Sequence, residues 1–247
     1  MSLLRLEGVT HAYLGRSVLE DIHLAVEAEQ IVALVGTSGC GKSTLLHIAA
    51  GLIEPVRGRV VRRHQRHGVV FQEPRLLPWA TARGNIDYAL RRQGLDAAAR
   101  RAAVARVAAG VALAARDLDK YPSELSGGMA QRVAVARALA IQPDFVCLDE
   151  PFSALDVGLK RRLQDLTIAA LDQAGVSALF VTHDLAEAAR VAHRIVILDR
   201  AGRGLAGTYD LPGRPGQRSD REVFEMVDTL LQRAPLLAEV GTVEEVD

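Results

Sequence analysis

Gly36-Thr37-Ser38-Gly39-Cys40-Gly41-Lys42-Ser43-Thr44 decides how this chain is read. It follows the apolar run Ile31-Val32-Ala33-Leu34-Val35 and opens a predicted helix over 45–50. A buried strand that runs through a glycine loop into a helix N-terminus makes a phosphate cradle. Main-chain N–H groups converge on the anion there, and the helix dipole adds to the attraction. In such a loop Lys42 reaches the β- and γ-phosphates, and the Ser43 hydroxyl holds Mg²⁺. The chain has only three lysines, Lys42, Lys120 and Lys160, and otherwise uses arginine. A compact ammonium suits a narrow loop better than a broad guanidinium fork, so a lysine at this place carries meaning.

The bulk numbers are those of a globular protein: 247 residues, 49% apolar and 24% charged, with zero formal net charge. That balance gives no basic field for nucleic acid or for an anionic membrane surface. No apolar run approaches the roughly 18 residues of a membrane span. The start, Met1 to Glu7, lacks the basic-then-apolar layout of a signal peptide, which points to the cytoplasm. Cys40 lies in the phosphate loop and Cys147 in an apolar strand, and a disulfide between them is not expected in a reducing compartment.

Ahead of the loop, residues 3–9 read as a strand with a turn near Gly15, and Leu19, Ile22, Leu24 and Val26 alternate imperfectly. Tyr13 falls in the polar connection, where an exposed ring is either packed on the surface or able to stack on an adenine face. Short strands at 59–61 and 68–71 flank a basic turn (Arg62, Arg63, His64, Arg66, His67), which reads as a solvated hairpin. The two prolines of Gln72-Glu73-Pro74-Arg75-Leu76-Leu77-Pro78-Trp79 break the pattern and leave apolar groups needing cover, from neighbouring helices or from a partner. Ala- and Arg-rich helices near 83–92 and 97–116, the second open to a break at Gly110, suggest a helical subdomain inserted in an α/β layer.

The phosphate-type turn then recurs. Ser126, Gly127 and Gly128 precede a helix over 129–140, a second candidate anion site that ordinary capping would also explain. Two such turns suggest two ligands, or one ligand held between two chains. The strand at 145–150 ends in Asp149 and Glu150. Acids at a strand's C-terminal edge call for a metal, water or ligand, with Asp149 organising Mg²⁺ and Glu150 polarising an attacking water. A later apolar strand, 176–181, delivers His183 to the same kind of edge. A closing strand and hairpin follow, then an amphipathic helix at about 220–232.

Taken together, these motifs resemble the ATP-binding subunit of ABC transporters over about residues 3–210. GTSGCGKST at 36–44 is similar to that family's Walker A motif, and Gln72 to its Q-loop glutamine. LSGGMAQ at 125–131 is similar to its signature, FVCLDE at 145–150 to Walker B, SALD at 153–156 to the D-loop, and His183 to the switch histidine. The resemblance implies an α/β fold: a phosphate-loop NTPase sheet core with an N-terminal antiparallel β region and an inserted helical subdomain (about 75–140). It implies one nucleotide-binding domain over 1–235, followed by a short acidic tail, 236–247.

The roles it implies are these. Tyr13 stacks on adenine. Gly36, Thr37, Ser38, Gly39, Cys40, Gly41, Lys42, Ser43 and Thr44 bind the phosphates of ATP. Ser43, Gln72 and Asp149 serve Mg²⁺, Glu150 is the general base and His183 contacts the γ-phosphate. Ser126, Gly127 and Gly128 act on the ATP of an opposing subunit in a homodimer. Two departures remove no ligand group: Ala130 within the signature, and Glu29-Gln30 where a Gly-Glu turn is common. Arg75 to Trp79 and the Leu211-Pro212…Arg214-Pro215…Arg218 segment resemble the nitrate/sulfonate/taurine importers. That subgroup implies two integral-membrane permease subunits, a separate solute-binding protein, and a peripheral place on the cytoplasmic face of the membrane. An exporter cassette, or a soluble ABC ATPase without a permease, is the alternative.

Overall fold

The computed structural model of the protein describes residues 1–153 and 157–233. Ala154, Leu155 and Asp156 of the expected turn, and the expected tail at 236–247, lie outside the described residues. The described residues form two compact units, one of Met1–Arg63 with 177–233, the other of those between His64 and Val176.

The first unit begins with β1 (Ser2–Tyr13) and β2 (Arg16–Glu27), an antiparallel pair in which Leu6 faces Leu24 and Val9 faces Ile22. The connection is the two residues Leu14 and Gly15, with φ of 48° and 80°. Two positive φ values in a row suit the right-handed twist of a two-residue hairpin. β4 (Arg57–Arg62) pairs antiparallel with the other edge of β1, giving the order β2-β1-β4. Leu4, Leu6, Val9, Leu19, Ile22, Leu24 and Val26 are buried.

The rest of this unit is a second sheet. β3 (Ile31–Val35) is buried at all five positions, as expected of a strand covered on both faces. It pairs in parallel with β7 (Ser177–Thr182) and β8 (Arg194–Leu198), and β9 (Leu205–Asp210) closes antiparallel on β8. α1 (Lys42–Ala49) packs on β7, and α6 (Leu185–Val191) on β3 and β7. The amphipathic α7 (Asp220–Arg233) packs against α6. Glu29, where a glycine is common, has φ of 57°. A glutamate therefore occupies a left-handed turn that costs an L-residue about 1 kcal/mol.

In the second unit β5 (His67–Val70) runs parallel to β6 (Phe145–Asp149). The expected basic hairpin is therefore a correction: β4 pairs with β1, and β5 pairs with a strand 78 residues later, His67 facing Phe145. Asp144, just before β6, accepts the main-chain amides of Gln65 and Arg66 at 2.8 and 2.9 Å, and His64 stacks on Phe145 with ring centroids 5.0 Å apart. Those contacts turn the basic segment toward β6 instead of back onto β4.

α2 (Ala82–Leu90) and α3 (Ala97–Gly110) both pack on α4 (Gly127–Ala140), and α5 (Val157–Gln173) follows β6. Thr81, Asp96 and Ser126 cap the first three of these helices with side-chain oxygens. α3 ends at Gly110, the place where the helix expected over 97–116 is open to a break. α4 begins two residues earlier than expected, immediately after Ser126.

Candidate nucleotide site

In the first unit the loop after β3 is shaped by contact. Gly41, the N-cap of α1, has φ of 103°, and a Cβ there would lie 2.8 Å from Leu19 Cδ2 and 3.1 Å from the Val18 carbonyl oxygen. No side chain caps α1. Lys42 is buried, and its ammonium donates to the carbonyls of Gly36 (2.8 Å) and Thr37 (2.9 Å), which keeps it folded into the loop it would serve. Ser38, Gly39 and Ser43 are exposed. Cys40 is a buried free thiol; burial pushes its pKa up, with the nearby Lys42 charge opposing.

The sheet register brings His183 to the same edge. Val35 pairs with Thr182, so Gly36 and His183 leave adjacent parallel strands side by side. The carboxyl ends of parallel strands are where α/β sheets bind ligands. His183 is exposed, while the chain on either side is fixed. The Thr182 hydroxyl bonds the Glu187 carboxylate and accepts the Asp184 amide at 3.0 Å, and Asp184 caps α6 through the Glu187 amide. Tyr13 ends β1, half exposed, with the His11 ring edge-on at 4.7 Å.

The second unit repeats the device. Val70 pairs with Leu148, so Gln72 and Glu150, each two residues on, leave neighbouring parallel strands together. Asp149 is buried at the strand's end. Glu150 has φ of 40°, a left-handed backbone for a residue that gains nothing from it, and its carbonyl accepts the Ser153 hydroxyl at 3.0 Å. Such strain persists only where the surroundings impose it, and it gathers at functional sites. Residue type alone gave no sign of it.

Sequence reasoning also missed what holds Gln72. From α4, Gln131 donates to the Phe71 carbonyl (3.2 Å), and Arg137 donates to those of Pro74 (2.9 Å) and Arg75 (2.9 Å). The helix that opens at Ser126 therefore pins the segment carrying Gln72. The open question about apolar cover is answered in part: Leu76 and Leu77 are half-buried, whereas Trp79 is 74% exposed.

The family model for the ABC transporter matches residues 19–153, from β2 through both glycine turns and the two strand-end acids. The chain belongs to this family. The cassette is thus an ATP-binding subunit of ABC type, its loop 36–44 the Walker A motif and its chemistry that of an ATPase. It is 41% identical over 245 residues to the aliphatic sulfonates import ATP-binding protein of Mycobacterium sp. (strain MCS), covering 99% of this chain and 96% of that one. A second protein of the same description, from Pseudomonas syringae pv. tomato, is 42% identical over 201 residues, with 81% and 83% covered. Among solved structures, the cassette MJ0796, in a dimeric post-hydrolysis state bound to ADP and Pi, superposes with a TM-score of 0.77 at 30% identity, covering 85% of this chain and 99% of its own. The sequence-based fold class agrees with that architecture.

Proposed function

We propose that the cassette is the ATP-hydrolysing subunit of an importer for small solutes of the aliphatic sulfonate type, within the nitrate/sulfonate/taurine group. The observation that carries this is the near full-length similarity to the mycobacterial sulfonate import subunit. In this reading two copies sandwich two ATP molecules; MJ0796 is likewise dimeric, in a post-hydrolysis state bound to ADP and Pi. Two permease subunits and a separate solute-binding protein complete the importer. No described helix is long and apolar enough to cross a membrane, so attachment to the cytoplasmic face would run through the permease.

Each residue has a chemical task. Tyr13 stacks on adenine, and the loop 36–44 receives the phosphates. Lys42 turns its charge toward the β- and γ-phosphates and stabilises the charge that grows on the transferring phosphoryl group. Glu150 orients a water in line with the γ-phosphorus and takes its proton as the bond to the ADP oxygen breaks. The products are ADP and phosphate. His183 hydrogen-bonds the γ-phosphate as its sensor, and Gln72 contacts Mg²⁺ or water and couples the site to the permease subunits. Ser126, Gly127 and Gly128 serve the partner's nucleotide. In support, a Cβ at Gly127 would meet nothing within 4 Å among the described residues, so the glycine answers no need of this chain's own packing.

The donor set fits Mg²⁺. The Ser43 hydroxyl, the Asp149 carboxylate and the Gln72 amide oxygen are each hard oxygen ligands. A site with few protein oxygens, completed by phosphates and water, is the kind Mg²⁺ prefers over Ca²⁺. When bound, the ion neutralises phosphate charge.

The test is ATPase rate after reconstitution with the candidate permease in lipid, with and without binding protein and a panel of sulfonates, taurine and nitrate. Stimulation by one ligand–binding-protein pair is expected. In Glu150→Gln that turnover falls about a thousandfold while ATP binding stays, the scale of losing a general base. Robust hydrolysis indifferent to every permease and ligand would withdraw the import assignment, and normal turnover in Glu150→Gln would withdraw the base.

A further inference from the structure

Arg62, the last residue of β4, reaches off the antiparallel sheet to the far end of α1. Its Nε donates to the Ala49 carbonyl at 2.8 Å, and its Nη2 donates to that of Ile48 at 2.5 Å. Both oxygens belong to the last turn of the helix, where a cation is favoured by the dipole; the Ile48 carbonyl also accepts the Gly51 amide at 3.0 Å. A flat two-pronged guanidinium matches two successive carbonyls, whereas a lysine would make a point contact. The opposite end of α1 is pressed on the other edge of the same sheet, where Gly41 meets Val18 and Leu19 of β2.

With the strand order β2-β1-β4, α1 therefore lies across all three strands, held to one edge strand at its start and to the other at its end. The dimensions agree: eight helical residues span about 12 Å, and two inter-strand spacings come to about 10 Å. The hairpin that grips the start of the helix is the one that carries Tyr13.

We infer that Arg62 is a positioning residue for nucleotide binding, latching the end of α1 to β4 so that the phosphate-facing helix keeps a fixed aim relative to the Tyr13 hairpin. Without the latch, α1 keeps its packing on β7 but is tied to the antiparallel sheet only at Gly41, so its far end shifts against β4. The phosphate loop survives, but base and phosphates no longer meet their platforms in register. This rests on the reading of Tyr13 as the adenine platform and of 36–44 as the phosphate cradle.

The experiment is calorimetric binding of ATP and of inorganic tripolyphosphate to the full chain as wild type, Arg62→Ala, Arg62→Lys, Tyr13→Ala and the Arg62→Ala/Tyr13→Ala double variant, with melting curves to show that each is folded. Arg62→Ala is expected to weaken ATP about fivefold, and Arg62→Lys about twofold, the scale of lost charge-assisted bonds. Tripolyphosphate affinity stays within about twofold, since the loop is intact. Tyr13→Ala should cost about tenfold in the wild type, the scale of a base–aromatic stack, but about twofold where Arg62 is already gone.

Equal losses for ATP and tripolyphosphate, or multiplicative losses in the double variant, would overturn the latch and leave Arg62 a stability residue. If Tyr13→Ala alone binds ATP normally, the adenine reading of Tyr13 fails. The latch then stands or falls on the contrast between ATP and tripolyphosphate in Arg62→Ala. Should Arg62→Ala fail to fold, Arg62→Met, which keeps the apolar stem without the fork, supplies that contrast with the same loss of about fivefold expected for ATP.

Discussion

α1 and α4 both start on glycine turns, and they start differently. α1 has Gly41 at its N-cap, with φ of 103° and no capping side chain, because Val18 and Leu19 leave no room for a Cβ. α4 has Ser126 in an ordinary extended N-cap, its hydroxyl accepting the Met129 amide at 3.3 Å, and Gly127 beside it has open space around it. The first turn is built as a cradle by contacts inside the chain. The second is complete as a helix cap without any ligand, and the open space beside Gly127 answers no contact among the described residues. One device in sequence is thus two devices in structure.

Three measurements break or sharpen that contrast. The largest effect belongs to Lys42→Ala: phosphate release at saturating ATP should fall about a hundredfold or more, the scale of losing a preorganised donor at a charged transition state. Melting should shift little, because the ammonium's own partners are loop carbonyls. A variant that kept half its rate would undo the cradle side of the comparison.

Next comes the pair Gly127→Ala and Ser126→Ala. Alanine at 127 favours the helix by up to about 1 kcal/mol, yet hydrolysis should drop about tenfold, as when a reacting group is slightly misplaced. Alanine at 126 removes a cap and lowers stability by about 1 kcal/mol. If Gly127→Ala is both more stable and fully active, the signature turn is only a cap.

The smallest effect is at Cys40. Burial raises its pKa, so at neutral pH it holds less thiolate than an exposed cysteine. With Cys147 replaced by serine, alkylation at pH 7.5 should run about tenfold slower than for a free thiol and accelerate as pH rises. Fast alkylation at neutral pH would mean that the loop around Cys40 opens.

Much of this was legible from residues. The run 31–44 announces strand, loop and helix because apolar continuity, glycine spacing and a lone lysine agree, and Asp149 and Glu150 stand at a strand end as their charge requires. What stayed hidden depends on partners remote in sequence. Nothing local to 59–71 says that β5 pairs with residues 145–148, since Asp144 supplies the two oxygens that decide it. Nor does an arginine in an Ala-rich helix reveal that it holds the carbonyls of residues 74 and 75, or an arginine closing β4 that it caps another helix. The left-handed Glu150 is a property of its surroundings and has no signature in the residue itself.

Trp79 carries a consequence of a different kind. It is the chain's only tryptophan, and its indole stands in solvent. The backbone beneath it is fixed: Asn85 accepts the Leu77 amide at 2.7 Å and donates to the carbonyls of Leu77, Ala80 and Thr81. All of the protein's indole fluorescence therefore comes from one stationary post on the segment that follows Gln72. Its emission should be red-shifted and open to iodide quenching in the free cassette. A partner that settled on this segment would announce itself as a shift to the blue, with no label attached.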